Sequence, residues 1–106
     1  GMFNKLTIYV SILRVSPPLE RYVKYEYDAD GNGIKTEHYD ADGNLREYFR
    51  SEYDADGNVI KYEEYNADGN LERYFKSEYD ADGNGIKTEH YDADGELVNT
   101  YTYPTN

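Results

Sequence analysis

The chain contains no cysteine and no tryptophan. With no thiol there is no disulfide framework and no thiolate metal site, and the redox compartment is left open. Proline is confined to Pro17, Pro18 and Pro104. No apolar run approaches the length of a membrane-spanning helix, and no segment carries the spacing of an apolar helical stripe. The most apolar stretch, Leu6 to Leu13, is interrupted by Thr7, Tyr9 and Ser11 and is followed by no small-residue cleavage site, which argues against a signal peptide. Positive charge is also scarce, with 11 Lys and Arg against 22 Asp and Glu and a net charge of -11. Such a surface repels phosphate backbones and anionic lipid headgroups, so nucleic acid and membrane surfaces are poor partners. Gly1 ahead of Met2 reads as an expression scar.

Tyrosine, by contrast, is abundant: 14 of the 106 residues. Aliphatic material for a thick core is thin, and amphipathic aromatic surface is plentiful. A chain this polar would ordinarily stay disordered, but strict repetition argues for order. The segment Tyr27-Asp28-Ala29-Asp30-Gly31-Asn32 recurs from Tyr39, Tyr53, Tyr65, Tyr79 and Tyr91, with Asn66 in place of the first Asp and Glu96 in place of the final Asn. Its steps of 12 and 14 residues alternate, giving a 26-residue unit, and residues 27–43 are identical to 79–95. Identity over that length suggests recent duplication.

The D-A-D-G element has a turn mechanism. The first Asp accepts hydrogen bonds from N–H groups ahead of it, Ala and the second Asp suit a type I turn, and Gly takes the left-handed bulge position. Between turns lie eight or ten residues, ordinary strand lengths. At the N-terminus Leu6, Ile8, Val10 and Ile12 alternate with polar residues, the pattern of a half-buried strand, and Ser16-Pro17-Pro18 ends it. The expected fold is all-β: an antiparallel β-meander of tandem hairpins in one extended or curled sheet. Residues 1–18 supply the scar, a capping strand and the Pro turn, and residues 19–106 the repeat domain.

If Asp28 faces Asn32, and every turn follows suit, facing residues share parity from strand to strand. All odd positions then lie on one face. That face would carry Tyr27, Tyr39, Leu45, Phe49, Tyr53, Val59, Tyr65, Leu71, Phe75, Tyr79 and Tyr91, and the charged residues would lie on the other. An aromatic face on the order of 1,000 Å² exceeds what monomers usually expose. Self-association as a homodimer is the expected cover, ahead of an intramolecular core or stacking of sugars on the rings.

From Arg21 to Tyr103 the pattern resembles the YD repeats of RHS and teneurin proteins, in which Tyr-x-Tyr-Asp precedes a Gly-containing turn, as in Tyr25-Glu26-Tyr27-Asp28-Ala29-Asp30-Gly31. That resemblance implies strand-after-strand β sheet serving as scaffold. Departures are Gly-Asn in place of the family's frequent Gly-Arg, and too few hairpins to close a shell. The aromatic-Asp-x-x-Gly hairpin is also similar to glucan- and choline-binding cell-wall repeats, though their Gly-Trp element is missing, and more weakly to MORN-type repeats. The compartment is unknown, with a bacterial cell surface and secretion as part of a longer chain both left open, and none of these likenesses carries over a catalytic residue.

Other constellations are weaker. Asp28, Asp30 and Asn32, and their copies Asp80, Asp82 and Asn84, match the first half of a calcium loop, but Tyr39 and Tyr91 stand where its twelfth-position carboxylate belongs. His38 and His90 read as a surface cross-strand pair, short of the three or four ligands zinc requires. Glu63 and Glu64 point to opposite faces of a strand and cannot act on one bond. No cofactor is implied. The expected function is a non-enzymatic structural or protein-interaction module. The alternatives are a carbohydrate- or cell-wall-binding module using rows of Tyr and, remotely, a hydrolase using His38.

Overall fold

The computed structural model describes residues 7–16 and 19–104, with side chains from Arg21 onward. The expected scar at Gly1 and the expected turn at Pro17-Pro18 lie outside the described residues. Eight strands run in order: β1 (Thr7–Ser16), β2 (Leu19–Tyr27), β3 (Gly33–Tyr39), β4 (Leu45–Tyr53), β5 (Val59–Asn66), β6 (Leu71–Tyr79), β7 (Gly85–Asp92) and β8 (Leu97–Thr102). They pair in chain order as one antiparallel sheet with β1 and β8 at the edges, the meander expected from turn spacing. β1 extends the sheet beside β2. Among the described residues there is no helix, and so none long and apolar enough to cross a membrane.

The turns follow from their side chains. At the first, the Asp28 N–H donates to the Asn32 carbonyl at 2.9 Å and the Gly31 N–H to the Asp28 carbonyl at 3.1 Å. Asp28 Oδ1 accepts from the N–H groups of Asp30 and Asn32, both at 2.9 Å, replacing ladder bonds that a tight turn cannot make. Gly31 has φ +88°, where a Cβ would be strained. All six turns repeat this geometry; at the fourth, Asn66 Oδ1 accepts from the N–H groups of Asp68 and Asn70.

Beyond the turns the register departs from uninterrupted parity. Tyr27 faces Gly33, as the turn dictates, but Glu26 faces Lys35, leaving Ile34 as an extra residue. The same irregularity recurs in every later hairpin, with Arg46, Ile60, Glu72, Ile86 and Val98 as the extra residues. A β-bulge adds one residue to one strand, and because side chains alternate with period two, each bulge exchanges the faces of odd and even positions. The single odd-numbered face is therefore overturned.

The bulged register improves the pairing of charges. It sets Lys24 opposite Glu37, Glu26 opposite Lys35, Arg50 opposite Glu63, Glu52 opposite Lys61, Glu64 opposite Arg73, Lys76 opposite Glu89 and Glu78 opposite Lys87. Without the bulge Glu64 would meet Glu72, and Glu26, Glu52 and Glu78 would meet Ile34, Ile60 and Ile86. Opposite charges across a ladder contribute roughly 0.2–1 kcal/mol each and facing like charges oppose pairing. The same register also sets Lys35 opposite Arg50 and Lys61 opposite Lys76, but the opposite-charge pairs outnumber these two, so the register with one extra residue wins.

The sheet is strongly twisted. Its principal extents are 50 × 36 × 27 Å, whereas a flat single sheet is only about 10 Å thick. Among the described residues only Val23 and Thr88 are buried, and the other strand residues from β3 to β7 are half-buried or exposed. Neither face is covered by a second layer of the described residues.

Candidate functional site

With the bulges applied, face A carries odd residues from β2, β4, β6 and β8 and even residues from β3, β5 and β7. It gathers Val23, Tyr25 and Tyr27; Thr36 and His38; Phe49, Ser51 and Tyr53; Tyr62; Phe75, Ser77 and Tyr79; Thr88 and His90; Tyr101 and Tyr103. Across it runs a row of rings in contact: His38 to Phe49 at 5.5 Å between centroids, Phe49 to Tyr62 at 5.7 Å, Tyr62 to Phe75 at 5.3 Å and Phe75 to His90 at 5.6 Å. The row crosses five strands, from β3 to β7.

Ring orientation limits what the row can do. Phe49 and Tyr62 are 9° from parallel and Tyr62 and Phe75 28°, so both faces of Tyr62 are occupied by neighbouring rings. Burial, then the carboxylates of Glu64 and Glu47, raise the Tyr62 hydroxyl above its usual pKa. Beside the row, the Tyr53 hydroxyl donates to the Gly33 carbonyl at 2.6 Å, and one unit later the Tyr79 hydroxyl donates to the Val59 carbonyl at 2.8 Å. At the far end Ser77 bonds Thr88 at 3.0 Å, and Thr88 bonds the Tyr103 hydroxyl at 3.2 Å, tying β6 and β7 to the segment that follows β8.

Two cavities open on this face. One, of about 590 Å³, lies over Tyr62, Phe75 and His90 with Glu64, Arg73 and Asn99 at its rim. The other, of about 610 Å³, shares those three rings and reaches Ser51, Ser77, Thr88 and Tyr103.

Face B combines tyrosine pairs with the charge ladder. Tyr48 stacks on Tyr65 at 4.6 Å, and Tyr74 on Tyr91 at 4.7 Å, both 9° from parallel. Lys35 and Arg50, which face each other across β3 and β4, share the Tyr48 ring at 5.1 and 5.9 Å, so a like-charge pair is relieved by the ring's electron-rich face. Lys61 and Lys76, the like-charge pair of β5 and β6, are relieved in the same way, Lys61 at 5.4 Å over Tyr74 and Lys76 at 5.7 Å over Tyr91. Lys87 bonds Glu78 at 2.9 Å and lies 3.8 Å from Glu89. Burial, then the adjacent carboxylates of Glu37 and Glu89, raise the pKa values of Tyr39 and Tyr91.

The eleven residues expected on one aromatic face are thus divided. Tyr27, Phe49, Tyr53, Phe75 and Tyr79 lie on face A; Tyr39, Tyr65 and Tyr91 lie on face B, because each precedes a turn on a strand of the opposite parity. Leu45, Val59 and Leu71 sit at the bulges, facing Tyr39, Tyr53 and Tyr65. Tyr62, the centre of the ring row, is absent from that expectation, although the 13-residue steps from Phe49 to Tyr62 to Phe75 are visible in the sequence. His38 and His90 are not a cross-strand pair: β4, β5 and β6 separate them, and each caps one end of the row. Glu63 and Glu64 do point to opposite faces; Glu64 holds Arg73 at 2.8 Å and Glu63 lies 3.6 Å from Lys61.

The calcium candidates lie in turns that already use them. Asp28 Oδ1 and Asp80 Oδ1 each accept two backbone N–H bonds, and their Oδ2 atoms accept from the Asn32 and Asn84 side chains. These bonds, with that from the Asn32 or Asn84 backbone the largest influence, hold both carboxyls below the usual range. Asp30 and Asp82 stand exposed at the turn tips. Among the described residues no three His, Asp or Glu side chains converge as a metal site. No protein-family model matches this chain, and no curated protein matches it.

Proposed function

We propose that this chain is a non-enzymatic structural and protein-interaction repeat module that self-associates through face A. The observation that carries the reading is the ring row from His38 to His90, half-buried to exposed on a sheet face that no second layer of the described residues covers. Two such faces packed about 10 Å apart form a sandwich whose core is made of interdigitated rings. The alternative, glycan binding on rows of Tyr, needs ring faces turned to a ligand. At the centre of this row those faces are turned to each other, which favours packing against a second copy. A scaffold role is also what the likeness to YD repeats implies.

Sedimentation velocity over a hundredfold concentration range tests this. The expected result is reversible association that Phe75→Arg weakens by at least tenfold, since the substitution puts a charge into the row. A species that stays monomeric at the highest concentration overturns the reading.

A further inference from the structure

The last strand breaks the pattern of the repeat. One unit earlier, β6 carries Glu72, Arg73 and Lys76; at the equivalent positions β8 has Val98, Asn99 and Thr102, and Leu97–Thr102 contains no charge at all in a chain of net charge -11. All six β8 residues are exposed, with Val98 at 67%. Charges on an edge strand ordinarily deter pairing with another chain, and here they are missing from the edge itself.

The hydrogen-bonding phase of β8 is set by its inner neighbour. The Tyr103 N–H donates to the Ile86 carbonyl at 2.9 Å. In an antiparallel ladder alternate residues turn their backbone groups inward, so Tyr103 and Tyr101 bond towards β7, and Thr102 and Thr100 present N–H and C=O outward. Their outward positions and uncharged side chains make the edge self-complementary. With a two-fold axis at Thr100, the two Thr100 residues exchange both backbone bonds, and Thr102 of each copy falls opposite Val98 of the other. Every pair is uncharged, and Thr opposite Thr is a favourable combination.

We infer that β8 is a strand-addition site for β8 of a second copy, joining two eight-stranded sheets into one continuous antiparallel sheet about Thr100. This surface is distinct from face A and does not rest on the face A reading. The two-fold axis stands perpendicular to the sheet, so both copies keep face A on the same side and the two contacts are compatible.

The test uses the full chain with Thr100→Lys and Thr100→Glu, each examined alone and as an equimolar mixture by sedimentation equilibrium, with thermal unfolding to confirm that each folds. The expected result is that either variant alone halves the mass of the assembly, because like charges meet on the axis, and that mixing the two restores it. Wild-type mass for each variant alone overturns the proposal. So does a halved mass that mixing fails to restore, which would mean that the edge pairs with a different strand. A monomeric wild type overturns both this proposal and the face A reading. A Phe75→Arg variant separates the two: loss of association with Phe75→Arg and none with the Thr100 variants sinks the edge alone, and the reverse sinks face A alone.

Discussion

Replacing Ser77 and Thr88 together with cysteine tests the bulged register directly in a chain that has no cysteine of its own. The two residues face each other on β6 and β7, and their hydroxyl oxygens already lie 3.0 Å apart. Facing Cβ atoms in an antiparallel ladder are about 4.5–5.5 Å apart, close to the roughly 3.5–4.5 Å a disulfide prefers, so a small adjustment closes the bond. The cross-link would tie off the loop from residue 77 to residue 88 and, on chain-entropy grounds, stabilise the oxidised form by about 3 kcal/mol over its reduced form. In a domain of this size that corresponds to roughly 10–20 °C in Tm. The control is Ser77→Cys with Lys87→Cys, the pair that uninterrupted parity would set face to face. Thiol titration and unreduced mass on the monomer fraction, followed by melts with and without reductant, give the readout. Efficient cross-linking in the Ser77→Cys, Lys87→Cys variant together with failure in the Ser77→Cys, Thr88→Cys variant would refute the bulge, and with it face A.

Further expectations follow from the turns and the ring row. The backbone N–H of Asn58 holds the Asp54 carboxyl below its usual value of 3.8. In the folded chain this lowered pKa stabilises the turn at neutral pH, and that contribution is lost as pH falls through the folded value. Tm should therefore hold from about pH 7 to 5 and drop below about pH 4, and Asp54→Asn should reduce the drop, since Asn66 already makes the same turn bonds without titrating. An unchanged acid profile for Asp54→Asn would show that this carboxylate does not set the acid limb. Gly69→Ala places a Cβ at φ +85°, where the space is open enough for ordinary contact with the Tyr48 hydroxyl at 3.7 Å, so the cost is that of the backbone alone, about 1–2 kcal/mol in urea unfolding. Tyr62→Leu keeps apolar bulk but deletes two ring contacts and should cost about 1–3 kcal/mol, against a much smaller loss for a substitution at exposed Thr100. Equal losses at the two sites would show that the row contributes no stability.

Much of the fold was legible because its turns are local. Asp28, Gly31 and Asn32 carry enough information to specify a type I turn with a left-handed glycine, and the interval between turns sets the strand lengths. The faces were not legible from the turns, because one extra residue per hairpin reverses them and no turn residue announces it. The signal lay elsewhere, in the charges: comparing the two registers shows Glu64 opposite Glu72 in one and opposite Arg73 in the other. The same comparison moves Tyr62 from opposite Arg50 and Tyr74 to opposite Ser51 and Phe75, and so reveals the ring row.

Local chemistry alone dictated that this chain would be a meander of hairpins, because each turn is closed by hydrogen bonds among residues no more than four apart. Which side of the sheet each ring occupies was decided only when the strands met. Facing residues lie well beyond the reach of a turn, as with Ser77 and Thr88, 11 positions apart, or Tyr48 and Tyr65, and the choice between two registers rests on the sum of charge and ring contacts between them. Those contacts come into existence with the assembled sheet, and so does the ring row from His38 to His90.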